Sequence, residues 1–304
     1  MVRIVSLLPS TTEIACSLGF RDALVGRSHE CDHPAGVSSL PVLTEPKLDA
    51  SCSSREIDER VKTLVRDGLS VYRVDAERLR ALAPDVILTQ DQCEVCAASL
   101  SDVEDALRDW TGGRPSVVSL DPRSLSDVWG DLGRVAEALG APERGRELQA
   151  SVSDRITALA ERAGQSSRRP RVACIEWIDP LMAAGNWMPE LVALAGGENV
   201  FGQAGAHSPW LEWSALRDAD PDVLMLLPCG FDLARTRAEL GPLRALPGFA
   251  ELRAVREGRV HLTDGNQYFN RPGPRLVESL EVLCQLLHPE SFEPTLRGSG
   301  WEPL

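Results

Sequence analysis

The 304-residue chain holds no Gly-x-x-x-x-Gly-Lys-Ser/Thr loop, no Gly-x-Gly-x-x-Gly after a strand-like run and no Gly-x-Ser-x-Gly elbow. Phosphate cradling, dinucleotide binding and α/β-hydrolase chemistry therefore lose their usual anchors. No apolar run approaches the roughly 18 residues at which a membrane span begins, and Pro9 breaks the opening run Val2 to Leu8 too soon for a secretory core. As written, the chain is expected in the cytoplasm, or in the periplasm or outside the cell if a leader has been removed. Positive charge is scarce: 32 basic against 45 acidic residues leave a formal charge of −13, which disfavours nucleic acid and anionic membrane surfaces as partners. Eight cysteines at irregular spacings do not make a disulfide framework in a chain this long, and no tandem repeat of solenoid period is visible. Aromatic residues make up only 5% of the chain, so the places where they gather carry weight.

What the sequence does contain is an α/β rhythm, run through twice. Arg3 to Leu8 reads as a strand, and the following Ser10 and Glu13 have the spacing of a capping box. The predicted helix turns Ile14, Ala15 and Leu18 inward and closes at Gly19, before a second strand, Leu24 to Arg27. Ile57, Val61, Leu64 and Val65 share the face of an extra helix, again with a cap expected from Ser53 and Glu56. Asp75 caps a helix over 76–83, Asp85 to Thr89 is a buried strand, a helix follows from Ala97 to Trp110, and Ser116 to Leu120 is a strand. Between Ser124 and Ala163 the spacing is helical throughout, broken only at Gly140-Ala141-Pro142, and the second helix reaches about 20 residues or about 30 Å. Strands at Arg171 to Glu176, Asp222 to Leu227 and Val260 to Leu262 follow, with a helix over 189–195, a final amphipathic helix from Pro274 to Leu287 and a surface tail after His288. The fold class is α/β: two α/β lobes with central parallel-type sheets, residues 1–123 and 166–304, joined by a long rigid helical segment, 124–165.

Two polar loops follow predicted strands, where open α/β sheets bind their ligands. One is Ser28-His29-Glu30-Cys31-Asp32-His33-Pro34; the other is Thr89-Gln90-Asp91-Gln92-Cys93-Glu94-Val95-Cys96-Ala97. Cys31, Cys93 and Cys96, with His29 or His33, supply the donors of a zinc or iron site. The same thiols also suit a redox pair at a helix start, or packing without coordination. Cys16, Cys174 and Cys284 lie on apolar faces and read as small buried hydrophobes, whereas Cys229 follows a strand end. Trp177, Trp187, Trp210, Trp213, Tyr268 and Phe269 fall in or beside loops of the second half. Such rings suit either the grip of a bulky, partly apolar ligand or core packing.

Several stretches in order, Arg3-Ile4-Val5-Ser6-Leu7-Leu8-Pro9-Ser10-Thr11-Thr12-Glu13-Ile14, Leu82-Ala83-Pro84-Asp85-Val86-Ile87-Leu88, Gly196-Gly197-Glu198-Asn199-Val200, Asp220-Pro221-Asp222-Val223 and Arg271-Pro272-Gly273-Pro274-Arg275, resemble the class III substrate-binding proteins of ABC importers, the cobalamin and iron-siderophore type. The resemblance covers nearly the whole chain. It implies two α/β lobes linked by one long helix, a ligand held between them with little hinge closure, and an ABC permease as partner. Gly26-Arg27-Ser28-His29-Glu30-Cys31-Asp32 and the Thr89 to Ala97 stretch are most similar to the cobalamin-binding branch, including its leaderless members. There the aromatic of Pro209-Trp210 matches a ring lying along the corrin edge. Gln90 stands where that branch places an aromatic, and Glu30 where a tyrosine is expected.

The resulting expectation is a binder, not an enzyme, of cobalamin or a related corrinoid. Its contacts would be His29, Glu30, Cys31, Gln90, Asp91, Gln92 and Cys93 on one side and Trp187, Trp210, Tyr268 and Phe269 on the other. The alternatives are a zinc or iron protein built on Cys31, Cys93 and Cys96, and an iron-siderophore or haem carrier, for which Arg271 and Arg275 are the basic residues at hand.

Overall fold

The computed structural model describes residues 2–49, 51–67, 69–92, 98–108, 110 and 113–304. The chain divides into two compact units: Met1–Cys52, Glu56–Pro122 and Ser126–Ser151 form the first, and Ser53–Arg55, Arg123–Leu125 and Val152–Leu304 the second.

In the first unit, β1 (Ile4–Ser6) leads into α1 (Pro9–Ser17) and β2 (Leu24–Arg27). α1 starts differently from the capping-box expectation. Its N-cap is Leu8, with no side-chain cap, because Pro9 takes the first helical position, where a missing N–H costs nothing. Ser10 and Glu13 are instead buried. Ile14, Ala15 and Leu18 face inward as expected, and Gly19, at φ +80°, closes the helix through Gly19 N to Cys16 O and Phe20 N to Ala15 O, both 2.9 Å.

A hairpin that the sequence reading lacked, β3 (Thr44–Pro46) with β4 (Tyr72–Val74), brackets α2 (Ser54–Arg66). Val61 and Leu64 pack on the core, but Val65 is 47% exposed, since it lies a further 100° around the helix. α3 (Ala76–Leu82) has the expected cap, Arg78 N donating to Asp75 at 2.9 Å. The strand β5 (Val86–Gln90) is buried throughout. The next helix, α4, is shorter than expected, running Leu100–Ala106, because Ser99 and Asp102 form a true capping box there. β6 (Ser116–Leu120), α5 (Leu125–Ala138) and the 22-residue α6 (Pro142–Ala163) follow, α6 counting with the second unit from Val152 on. The sheet order is β2-β1-β5-β6, all parallel.

The second unit runs β7 (Arg171–Trp177), β8 (Met182–Ala183), α7 (Met188–Leu194), β9 (Glu198–Asn199), α8 (Trp213–Ala219), β10 (Val223–Leu226), α9 (Leu233–Ala238), α10 (Leu240–Arg244), α11 (Arg253–Arg256), β11 (Val260–Thr263), α12 (Leu276–Leu287) and β12 (Trp301–Pro303). β7, β10 and β11 are parallel, while β8 and β12 pair antiparallel at the edges. Two expectations fail here. α12 is buried on nearly every face rather than amphipathic, and the tail after His288 turns back to add β12, with Phe292 and Trp301 buried. The period of 3.6 reports only that one face is apolar; whether the opposite face is covered depends on what folds over it.

One module appears in both units. Asp85 accepts from Arg3 N at 2.8 Å, and Asp222 accepts from Arg171 N at 2.8 Å. The two arginines reach the C-terminal carbonyls of the preceding helices, Arg3 to Leu82 O and Arg171 to Ala219 O. Ala83 and Asp220 are left-handed at φ 42° and 40° before Pro84-Asp85 and Pro221-Asp222. In each unit a Pro-Asp step thus ends a helix and starts the central strand.

Candidate functional site

The first sheet reverses its winding between β1 and β5, and the carboxyl ends of its strands there form the crevice in which such sheets bind ligands. The floor of that edge is built from hydroxyl groups. Ser6 Oγ lies 2.7 Å from Thr11 Oγ1 and 2.8 Å from Thr12 Oγ1, and Thr12 Oγ1 lies 3.0 Å from Cys31 Sγ. Ser6, Thr11, Thr12, Ser28 and Thr44 are all buried, and buried hydroxyls survive because they satisfy one another. Above this floor Arg27 grips the loop after β2: its guanidinium donates to Ser28 O, His29 O and Cys31 O at 2.9, 3.3 and 3.2 Å, and to Ser38 O at 2.8 Å.

His29 is half-buried, its ring 5.7 Å from that of Tyr72. Its N–H and Nδ1 both meet Thr44 Oγ1, at 3.0 and 2.8 Å. Burial, then the Arg27 cation, holds the imidazole pKa below its ordinary value against the opposing pull of Glu45. Cys31 is buried, and Glu30 is half-exposed with its N–H on Ser28 Oγ. Gln90 is the last residue of β5, buried between Leu120 of β6 and a bridge to Ser99. Beyond it Asp91 is exposed, with its N–H on Leu120 O, and Gln92 is half-exposed.

In the second unit the loops after β10 and β11 are laced together. Asn270 Nδ2 donates to Leu227 O and Gly265 O at 2.9 and 3.0 Å, and Asn266 N donates to Phe231 O. Arg271, nearly buried, reaches Asn266 Oδ1, while Arg275 bonds Gln267 and stacks on the Tyr268 ring at 4.7 Å. Burial raises the pKa of Asp264 although Gln267 N donates to it and the Arg271 cation opposes the shift. Phe269 holds a left-handed φ of 59°, costly for a bulky side chain. Ser279 Oγ accepts its N–H at 3.0 Å and Trp187 Nε1 donates to its carbonyl at 2.7 Å, which keeps it there.

The loop carrying Trp210 is braced at its base. Asn186 N donates to Ala206 O and Gly205 N to Asn186 O, while Ser208 Oγ bridges Gly185 N and Glu176 Oε2. Gly202, at φ +79°, presses so close to the Ala184 carbonyl that an added Cβ would lie 2.2 Å from its oxygen. Met182 and Trp210 form an antiparallel bridge, yet the indole remains 56% exposed.

A family model described as periplasmic binding protein matches residues 4–266. The chain belongs to the periplasmic binding protein family. Among its relatives, an uncharacterised ABC transporter substrate-binding lipoprotein of Bacillus subtilis strain 168, YvrC, is 24% identical over 299 residues, 96% of this chain and 81% of the relative. The vitamin B12-binding protein of Yersinia pestis strain Pestoides F is 23% identical over 298 residues, 93% and 85%. Among solved structures, the apo periplasmic heme-binding protein RhuT of Roseiflexus sp. RS-1 has a TM-score of 0.71 at 25% identity and covers 95% of this chain and 99% of its own.

This periplasmic binding protein brings His29, Glu30, Cys31, Gln90, Asp91 and Gln92 to one edge of one sheet. Trp210 and Tyr268 stand on second-unit loops, exposed and half-buried. Trp187 and Phe269, expected as ligand-gripping rings, are instead core residues at 5% and 0% exposure, bonded to each other. Cys93 and Cys96, two of the three thiols of the expected metal set, lie outside the described residues. Among the described residues no three His, Cys, Asp or Glu side chains gather as a metal site, and no helix is long and apolar enough to cross a membrane. The hydroxyl floor and the braces at Gly185 and Gly202 escaped the sequence reading. The Ser/Thr run after β1 was their only signal, and it reads equally well as a helix start.

Proposed function

We propose that this binding protein takes cobalamin or a related corrinoid, presenting it to an ABC permease. Trp210 carries the reading: a large ring left exposed on a tightly braced loop packs a flat macrocycle at little entropic cost. The vitamin B12-binding relative favours corrin among macrocycles. Tyr268 adds a second ring on the same unit, while Glu30, Asp91 and Gln92 offer polar groups of the kind that bond an amide fringe. An import role places the chain outside the cytoplasmic membrane, as the lipoprotein relative suggests.

Haem is the second reading, favoured by the likeness to the heme-binding structure. Calorimetric titration with cyanocobalamin, hydroxocobalamin and haemin in parallel separates the two. Micromolar or tighter binding of a corrinoid is expected, with Trp210→Ala weakening it about tenfold, or about 1.4 kcal/mol, while the melting temperature stays unchanged. Should neither cobalamin bind at weak micromolar affinity, the corrinoid reading falls.

A further inference from the structure

We infer that His29 Nε2 is an axial ligand for the metal of the bound macrocycle, poised by Thr44. The inference rests on the corrinoid reading and follows from counting the hydrogen bonds around one hydroxyl. Thr44 Oγ1 has one proton and two lone pairs. It donates to Ser28 Oγ at 3.0 Å and accepts His29 N–H at 3.0 Å. One lone pair is left for His29 Nδ1, 2.8 Å away, so Nδ1 must be the protonated nitrogen. Nε2 then carries the lone pair and has no partner among the described residues.

An imidazole whose tautomer and orientation are fixed by a hydrogen bond at the far nitrogen is how proteins prepare a histidine for a metal. The backbone is fixed too, since Arg27 grips the carbonyls on both sides of and including His29. The ring rests on Tyr72. Ligation is a substitution: the bond from Co(III) to water breaks, a bond from cobalt to Nε2 forms, water leaves, and no electron moves.

The test is optical. Wild-type protein is titrated with hydroxocobalamin, whose axial water exchanges, and with cyanocobalamin, in which cyanide blocks that position. The expected result is a shifted corrin spectrum with the first and none with the second. In His29→Gln the shift is lost and cyanocobalamin still binds, which also shows that the variant is folded. Thr44→Val, which removes the acceptor for Nδ1–H, should weaken hydroxocobalamin binding roughly tenfold without changing the cyanocobalamin affinity.

A shift that survives in His29→Gln, or wild-type binding of both forms with no shift, overturns the ligand assignment and leaves the corrinoid reading standing. If neither cobalamin binds but haemin does, with an absorption change lost in His29→Gln, the axial ligand stands with iron in place of cobalt. If none of the three binds, both readings fall.

Discussion

Burial of Asp131 and of His261 ties the stability of the folded chain to pH. Asp131 on α5 is fully buried, both carboxylate oxygens lacking a hydrogen bond, with only the half-exposed Arg134 guanidinium 3.0 Å away. Burial raises its pKa from 3.8 to about 6, with Arg134 opposing. From about pH 4 to 6 the folded chain therefore holds a proton that the unfolded chain has lost. Stability falls as pH rises through that window and is level above it. Asp131→Asn should be more stable than the wild type at pH 7, by about 1–3 kcal/mol at 1.36 kcal/mol per pKa unit, and equal to it near pH 3, by urea titration. His261 works in the other direction. Burial lowers its pKa to about 4, edge-on to the Trp301 ring at 5.6 Å, so the folded state keeps it neutral. Stability should fall as pH drops from 6.5 towards 4, and His261→Gln should flatten that arm of the profile.

Among the elements, the repeated Pro-Asp module and the Trp210 loop make separable predictions. Asp85 and Asp222 each satisfy a backbone N–H at the start of a neighbouring strand, Arg3 just before β1 and Arg171 at the head of β7, with the arginine tying off a helix end. Replacing either with Ala should cost about 1–2 kcal/mol. The two losses should add within about 0.5 kcal/mol, because they fall in different units and share no partner. Gly202→Ala combines a left-handed backbone with an impossible approach to Ala184 O. It should cost about 1–3 kcal/mol and weaken ligand binding with Trp210 intact, distinguishing the brace from the ring it supports. The capping box at Ser99 shows how local such features are: Ser99-x-x-Asp102 is plain in the sequence and fixes the start of α4. Ser10-x-x-Glu13 is equally plain, and is overruled by one proline.

For the molecule as a whole, the segment after His288 closes the second sheet. β12 pairs with β11, and Trp301 Nε1 donates to Gln285 of α12 at 3.0 Å. Truncation at His288 should leave β11 as a bare, apolar edge, a template for pairing between copies. The expected outcome is a lower melting temperature together with concentration-dependent association, read by light scattering.

The strands β1, β2, β5, β6, β7, β10 and β11, the helices α1 to α7 and α12, and the two-lobed α/β class were legible from the sequence alone, because alternation, helical spacing and Pro or Gly stops are local quantities that each segment carries by itself. So was the placing of His29 and Gln90 at strand ends, which follows from chain order. What only the tertiary structure decided was which side was covered. It buried Trp187 and Phe269 while leaving Trp210 in solvent, covered the outer face of α12, drew the tail into a strand and brought His29 against Thr44, fifteen residues away. Burial and hydrogen-bond partnership are properties of the neighbours a residue acquires, and those come from segments far along the chain.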